Sequence, residues 1–401
     1  MELVSSTRGD AQVTQAVDQH GQPWLVAMAK ATYVIDAAQI AAPRLATEQN
    51  KLLFADVFEG QPGLSVPLAE SDFVPFKAAC DVVLKGSAHV PWNAGQPGLS
   101  PFQDVGLRVT DAHGRPLIQK SLRVFGARQW RAVGNRWRLS DAESFSVQSV
   151  SYAMAHGGAF SHQAIGSSDP REHCRHPMNL VGRGFGSGAF LKLIDGAPAH
   201  QTELWADGAV ATVGRPDAAS TPAAFGPLSR NWQPRLVWAG TYDDAWRDEV
   251  FPLLPADFDE RFYQCAPPDQ QMPYPTGGET VTLAHLTRAS AQEPKRTGGM
   301  LRFTLPGRVM PMAMLTRERQ TVPMAAAMDT VLIDADAMTF DVVWRARTPL
   351  KRSLQEVQLV AIGPVTPAWW AGRVYGDAGC AGCGDPGLGA VHANATELAS
   401  A

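Results

Sequence analysis

Two histidines and a cysteine, His173, Cys174 and His176, lie close together in the chain, with His162 upstream. Imidazole nitrogen and thiolate sulfur are ligands that zinc prefers, so this spacing could contribute to a metal site. A structural zinc site needs a second, separated pair of ligands, and none completes a recognised spacing here. The sequence therefore favours loop histidines on a solvated surface, and we predict neither a metal nor another cofactor.

A second thiol pattern, Cys380-Ala381-Gly382-Cys383, lies near the end of the sequence. A redox role would need a helix N-terminus to lower the pKa of one thiol, and zinc would need a second knuckle. The surrounding residues 376–401 are rich in glycine and alanine, which is typical of a flexible tail. An incidental reactive pair is the favoured interpretation.

Paired carboxylates offer a third possibility. Asp243/Asp244 and Asp257/Asp259 could serve glycoside hydrolysis, which uses two carboxylates on either side of a sugar bond. The aromatic platforms for the sugar would be Trp246, Trp369 and Trp370. Acidic residues beside proline and phenylalanine in loops are more often turn caps, however. A carbohydrate-binding or glycoside-active β-sandwich is therefore the alternative function, and it requires these carboxylates to line an open cleft beside exposed tryptophans.

The common catalytic and phosphate-binding motifs are absent from the sequence. Gly182-Arg183-Gly184-Phe185-Gly186 has the glycines of a phosphate loop, but Ser187 stands where the third glycine of the dinucleotide pattern belongs. No Walker loop, nucleophile elbow or HExxH sequence occurs. We therefore do not expect an enzyme.

The segment from Leu236 to Gln271 concentrates aromatic, acidic and proline residues without helical or strand periodicity. Its prolines forbid a long helix. Aromatic side chains on such irregular backbone either brace the fold or bind a partner. The candidate partner-binding residues are Tyr242, Asp243, Trp246, Arg247, Phe251, Asp257, Phe258, Phe262, Asp269 and Gln270. For Phe251 and Phe262 burial is the stronger expectation, because apolar residues usually lie inside.

Composition limits the class of protein. The 401 residues are 45% apolar and 18% charged, with a formal net charge of −4, which indicates a globular chain without the basic clusters that nucleic-acid binding needs. The 36 glycines and 30 prolines exceed the usual share and predict many turns. Neither a long apolar run nor an N-terminal signal pattern is present, so we expect a cytoplasmic protein without a transmembrane helix.

The elements that would position these residues are mostly strands. We predict a mainly β fold of β-sandwich or jelly-roll-like sheets with long irregular loops and few short helices. The clearest hairpin spans residues 106–130, with its turn at Asp111-Ala112-His113-Gly114. Other predicted strands cover residues 23–35, 81–92, 277–287, 298–307, 328–346 and 356–362. Met310, Met312 and Met314 have strand spacing and are expected in the core.

Helix is predicted to be sparse, and the best short candidate is Tyr242–Glu249, with Thr241 or Asp243 as its N-cap. Residues 366–372 are expected to form a short turn that carries Trp369 and Trp370. The predicted organisation is a β-rich region at 1–150, a loop-rich connection at 151–235, a second β-rich region at 236–375 and the tail at 376–401.

Several segments together resemble the domain-of-unknown-function family 2169, found beside type VI secretion genes in Gram-negative bacteria. The segments are DVVLKGSAHVP from Asp81, LRVFGARQW from Leu122, YAMAHGGAF from Tyr152, NLVGRGF from Asn179, AGTYDDAWRDEVFPLLPADFDERFYQCAPPDQQ from Ala239 and GGETVTL from Gly277. The family commonly has Asn-Pro before Val-Gly-Arg-Gly-Phe, whereas this chain has Asn179-Leu180.

This resemblance implies a non-enzymatic adaptor or chaperone. Proteins of this family look like carriers that hold a toxin, often through a PAAR-like domain of that toxin, and help to load it on the VgrG spike. We therefore expect protein partners: a type VI effector with a PAAR-like domain, and the spike. We expect no nucleic-acid or membrane partner.

Overall fold

The structure is a computed structural model that describes residues 1–36, 43–307 and 309–375. In chain order its strands are β1 Glu2–Ser5, β2 Asp10–Val17, β3 Pro23–Val34, β4 Arg44–Leu45, β5 Val57–Phe58, β6 Pro67–Ala69, β7 Cys80–Lys85, β8 Ser87–His89, β9 Phe102–Thr110, β10 Pro116–Phe125, β11 Trp130–Val133, β12 Arg136–Leu139, β13 Val147–Ser149 and β14 His156–Gly157. They continue with β15 Ala159–Phe160, β16 Cys174–Arg175, β17 Arg183–Gly184, β18 Thr202–Ala206, β19 Ala209–Ala211, β20 Gln271–Met272, β21 Thr280–Ala284, β22 Met300–Thr304, β23 Met312–Thr316, β24 Thr321–Met324, β25 Ala327–Asp334, β26 Thr339–Pro349 and β27 Val357–Ile362.

Helices in the described ranges are short. The α-helices are α1 Arg235–Trp238, α2 Arg288–Gln292, α3 Pro294–Thr297 and α4 Pro367–Tyr375. One π-helical turn covers Trp246–Val250, and 3₁₀ turns cover His162–Ile165, Gly188–Leu193, Glu260–Tyr263, Pro268–Gln270 and Leu354–Glu356. None of the helices in the described residues has the length and apolar character needed to cross a membrane.

Three larger sheets dominate the described residues. One has the order β1-β27-β23-β24, a second β19-β18-β10-β9-β21-β22, and a third β2-β3-β26-β25-β7-β20 with β4 added beside β3. Each of these sheets pairs strands from the beginning of the chain with strands from its end, as in β9 with β21 and β3 with β26. The predicted boundaries at residues 150 and 235 therefore do not separate the sheets.

The main core forms where the inner faces of these sheets meet. Along β3, Leu25, Ala27, Ala29, Ala31 and Tyr33 belong to this core. Partner strands supply alternate residues in the same way, because successive side chains of a strand point to opposite faces. The mainly β prediction is confirmed, and the predicted hairpin exists as β9 and β10.

The predicted strands at 23–35, 81–92, 277–287, 298–307, 328–346 and 356–362 all coincide with strands of the structure. Met312 and Met314 are buried in the core as predicted. The prediction of a turn at residues 366–372 is wrong, because this stretch begins α4. Helix α4 packs Trp369, Trp370 and Val374 against Leu315 and Leu359 of the four-stranded sheet.

Candidate partner-binding site

The second face of the seven-stranded sheet carries buried charges. Lys30 Nζ on β3 lies 3.0 Å from Asp72 Oδ2 and 3.8 Å from Asp341 Oδ2 on β26. Lys77 Nζ lies 2.8 Å from Asp81 Oδ2 on β7. We call these residues, together with the pair Asp329–Arg345 at 2.6 Å, the charge layer. Charged side chains are rarely fully buried unless they are paired, as they are here.

The charge layer connects the sheet to irregular backbone that covers it. Arg345 donates to the carbonyl oxygens of Asp72 and Val74 at 2.6 and 2.7 Å. Asp72 in turn accepts from the backbone N–H of Leu53 at 2.8 Å. Buried backbone groups need hydrogen-bond partners, and a loop over a sheet face cannot obtain them from a ladder. The buried side-chain charges supply these partners.

The C-terminal half of the Leu236–Gln271 segment is fastened to the same layer. Asp81 accepts from Gln264 Nε2 and from the backbone N–H of Cys265, both at 2.8 Å. Burial disfavours the ammonium of Lys77, but Asp81 and the other acidic groups around it together outweigh this effect, so the pKa of Lys77 lies above its usual value. Arg235 donates to the carbonyl oxygen of Phe262 at 3.0 Å from Nε. These contacts tie the segment to β7.

Four of the predicted partner-binding residues belong to this fastened half. Gln270 is fully buried and donates to the carbonyl oxygens of Val82 and Phe225 at 2.8 and 2.9 Å. Asp269 Oδ1 lies 3.0 Å from Lys120 Nζ on β10. Phe258 is only 9% exposed and packs against Phe262 and Tyr263, with ring centroids at 5.8 and 5.3 Å. Phe262 is half-buried, with the Arg235 guanidinium 5.4 Å from its ring centroid. All four residues make contacts within the fold, although Asp269 remains exposed.

The N-terminal half of the segment forms a lobe, residues 241–257, that is closed at its base. Asp257 accepts from the backbone N–H of Thr241 at 2.9 Å and from its Oγ1 hydroxyl at 2.8 Å. These two bonds hold the pKa of Asp257 below its usual value. Gly240 precedes the closure with φ +82°, and a Cβ there would lie 2.9 Å from Asp257 Oδ1. A compact loop with adjacent ends is a common place for function.

Three aromatic side chains of the lobe, Tyr242, Trp246 and Phe251, form what we call the aromatic cluster. Trp246 lies between the other two, with ring centroids 4.7 Å from Tyr242 and 5.7 Å from Phe251. Trp246 Nε1 donates to the Leu253 carbonyl oxygen at 3.0 Å, which fixes the central ring. Tyr242 is 53% and Phe251 66% exposed. The expectation that Phe251 is buried is wrong, because its contact with Trp246 leaves most of the ring exposed.

Helix formation in the lobe is partly as predicted. Residues 244–250 are helical, with a π-helical turn at Trp246–Val250, and Asp243 accepts from the backbone N–H of Trp246 at 2.8 Å. Arg247 is exposed between Asp244 and Asp248, at 2.7 and 2.9 Å. Asp243 therefore acts as the cap, whereas Thr241 closes the base of the lobe.

The carboxylates proposed for sugar chemistry act as turn caps. Asp243 caps the helical turn, Asp257 closes the lobe, and Asp259 accepts from the backbone N–H of Arg261 at 2.9 Å. Trp369 and Trp370 lie on α4, against the four-stranded sheet. A glycoside or carbohydrate site requires carboxylates in a cleft beside exposed tryptophans. These residues do not form that arrangement.

The histidine and cysteine motif is divided between surface and interior. His173 is exposed and His162 half-buried, whereas Cys174 and His176 are buried, so the expectation of a solvated surface is wrong for His176. Among the residues that the structure describes, no group of three or more histidine, cysteine or acidic side chains is arranged to hold a metal ion. Cys380 and Cys383, with the predicted tail at 376–401, lie outside the described residues.

The family that the sequence motifs suggested is supported by a direct comparison. The model of a family described as "Uncharacterized protein conserved in bacteria (DUF2169)" matches residues 20–345. The chain belongs to this family. The match includes the charge layer and the lobe and ends before β27 and α4. Searches of the curated proteins and of the solved structures gave no match.

Two of the DUF2169 motifs meet around three buried imidazoles, of which the sequence indicated only His176. His156 has ring-centroid distances of 5.4 Å to His176 and 5.2 Å to His200. Burial lowers the pKa of His156 to about 3 and that of His176 to about 4. Burial also lowers the pKa of His200, although Glu203 accepts from its Nε2 at 2.9 Å. The three histidines are far apart in the chain, so no spacing could have identified them as one group.

Proposed function

We propose that this DUF2169 protein is a non-enzymatic adaptor that binds a type VI secretion effector in the cytoplasm. In this proposal the adaptor holds the toxin, through a PAAR-like domain of the toxin, until it is loaded on the VgrG spike. Membership of the family and the resemblance of the motifs to secretion-linked proteins support the assignment. The lobe is the part of the molecule to which we assign the contact.

The exposed aromatic cluster is the observation that carries this proposal. Large aromatic side chains dominate binding energy at protein interfaces, and they contribute most when they are held rigidly before binding. Trp246 is fixed by its hydrogen bond to Leu253 and by its two aromatic neighbours. The chain that follows the lobe is held on β7 through the bonds from Gln264 and Cys265 to Asp81. Such a rigid, exposed and mostly aromatic surface is better suited to binding a partner of an adaptor than to packing inside the fold.

Co-expression tests the function. The chain is produced with and without the effector toxin encoded beside its gene, and the soluble yield and co-purification of the toxin are measured. An adaptor raises the soluble yield and co-purifies with the toxin. An unchanged yield with no co-purification would contradict the proposal.

A matched pair of variants tests the assignment of the lobe. We expect Tyr242→Ser with Phe251→Ser to abolish co-purification without lowering the melting temperature, because both rings are exposed. The control is Leu99→Ser with Val133→Ser, which removes two exposed apolar side chains from other loops and strands. Equal retention of the toxin by both double variants would exclude the lobe as the contact.

A further inference from the structure

The lobe concentrates the negative charge of the whole chain. Residues 241–257 contain five carboxylates and one guanidinium, a formal charge of −4. The entire chain of 401 residues also has a formal charge of −4, so the rest of the sequence is balanced. The five carboxylates are those of Asp243, Asp244, Asp248, Glu249 and Asp257.

These charges flank the aromatic cluster on both sides in the chain. Asp243 and Asp244 follow Tyr242, whereas Asp248 and Glu249 precede Phe251. The side chains of Asp244 and Asp248 are 87% and 63% exposed, and both lie beside Arg247. A single guanidinium balances one of these two charges, and a third carboxylate, that of Asp243, caps the helical turn. The surface next to the exposed rings is therefore acidic.

A partner that covers the rings must also remove water from these carboxylates. Desolvating a carboxylate without a compensating partner is costly, and an acidic or neutral apolar surface would offer no compensation. A partner surface with Arg and Lys side chains around an apolar centre would compensate the desolvated carboxylates. Its positive charge would also raise the rate of association through long-range attraction.

We infer that the lobe recognises a basic surface: an apolar patch rimmed by Arg and Lys on the effector. This inference rests on the proposed function and adds the chemistry of the partner to it. The aromatic cluster supplies the short-range contact, and the flanking carboxylates select the sign of the partner's charge.

Charge reversal tests the inference on the full chain with the co-purified toxin as the probe. We expect Asp248→Lys with Glu249→Lys to weaken association by about tenfold or more at low salt. The control, Glu172→Lys with Glu318→Lys, makes the same change of charge at exposed positions on other elements and should bind as the wild type does. Retention of the toxin on the immobilised wild-type chain should fall as the NaCl concentration rises. Salt weakens the attraction between exposed charges, and at 0.1 M it largely cancels attraction beyond about 10 Å.

The outcomes separate this inference from the proposed function. If the lobe reversal and its control bind equally and retention is independent of salt, while Tyr242→Ser with Phe251→Ser abolishes binding, then the basic partner is wrong and the adaptor function stands. If the reversal strengthens binding, the partner surface is acidic and the inference is overturned. Loss of monomer through lobe-to-lobe contact, seen by light scattering and abolished by Phe251→Ser, would make a second copy the occupant and would also overturn it. If the wild-type chain retains no toxin, both proposals fail.

Discussion

At the scale of single residues, buried charge holds together the parts of the chain that are not in strands. Asp81 illustrates this role, because one carboxylate accepts from Lys77, Gln264 and the backbone of Cys265. The sequence shows Asp81 only as the start of a strand, since its partners come from distant segments. A charged side chain of a strand is buried only if another segment of the chain covers it, and the periodicity of the strand does not show which segment does so. Residue-level contacts were for this reason the least predictable part of the site.

Removing the buried cation that pairs with Asp81 should lower the free energy of unfolding far more than removing a cation from a surface ion pair. We predict that Lys77→Met lowers the free energy of unfolding by about 3–5 kcal/mol, because it leaves Asp81 buried without its counter-ion. Lys85→Met is the control: Lys85 pairs with Asp334 at 3.1 Å, but its side chain is 55% exposed, so the expected loss is about 0–1 kcal/mol. Urea unfolding of both variants measures the difference, and equal losses would show that the charge layer does not stabilise the fold.

At the scale of elements, the Leu236–Gln271 segment combines two parts with different roles. Its composition predicted an irregular segment that either stabilises the fold or binds a partner. The composition did not show which residues have which of these two roles. The lobe closure between Thr241 and Asp257 marks that division. Helix α4 shows a different limit: Thr366, whose Oγ1 accepts from the backbone N–H of Trp369, and Pro367 at the first helical position are start signals. The prediction of a short turn at residues 366–372 did not use these signals.

Replacing phenylalanine by alanine should affect the free energy of unfolding very differently in the two halves of the segment. We predict that Phe258→Ala lowers the free energy of unfolding by about 3 kcal/mol, because it empties a buried position between Phe262 and Tyr263. Phe251→Ala should change it by less than about 0.5 kcal/mol, because that ring is 66% exposed. Chemical denaturation provides both values. A large loss for Phe251→Ala would mean that the lobe is part of the core.

At the scale of the whole molecule, the sequence predicted the class of fold but not the pairing of its strands. Alternation identifies a strand and its buried face, yet it does not say which strand lies beside it. In this chain β9 pairs with β10, which follows it, and with β21, which is distant. Distant pairing joins the two predicted β-rich regions in common sheets. His156 on β14 and His200 likewise lie side by side in the fold, with ring centroids 5.2 Å apart, although no local pattern in the sequence connects them.

The buried histidines make the stability of the whole fold depend on pH. His156 and His176 stay neutral in the folded chain, since burial lowers their pKa values to about 3 and about 4. In the unfolded chain the same imidazoles take up protons at about pH 6.5. The unfolded state therefore binds more protons below that pH, and stability is highest above about pH 6.5 and falls on acidification toward about pH 4.

Between about pH 5 and 6.5 this loss should come mainly from histidine, because carboxylates titrate lower. Each such imidazole contributes a slope of up to about 1.4 kcal/mol per pH unit. His200 and His285, whose pKa values burial also lowers, add to it. We predict that His176→Phe reduces the slope of unfolding free energy against pH by about one proton. His113→Phe, in the exposed turn of the β9–β10 hairpin, should leave the slope unchanged.

Urea unfolding at several pH values measures that slope, and it separates titration from packing. A phenylalanine at position 176 changes the absolute stability through its contacts with Phe185 and His156, which shifts the whole curve up or down. Only the loss of a titrating group changes the steepness of the curve. If His176→Phe and the wild type have parallel curves, His176 takes up its proton over the same pH range in the folded and in the unfolded chain, and it does not contribute to the acid sensitivity of this fold.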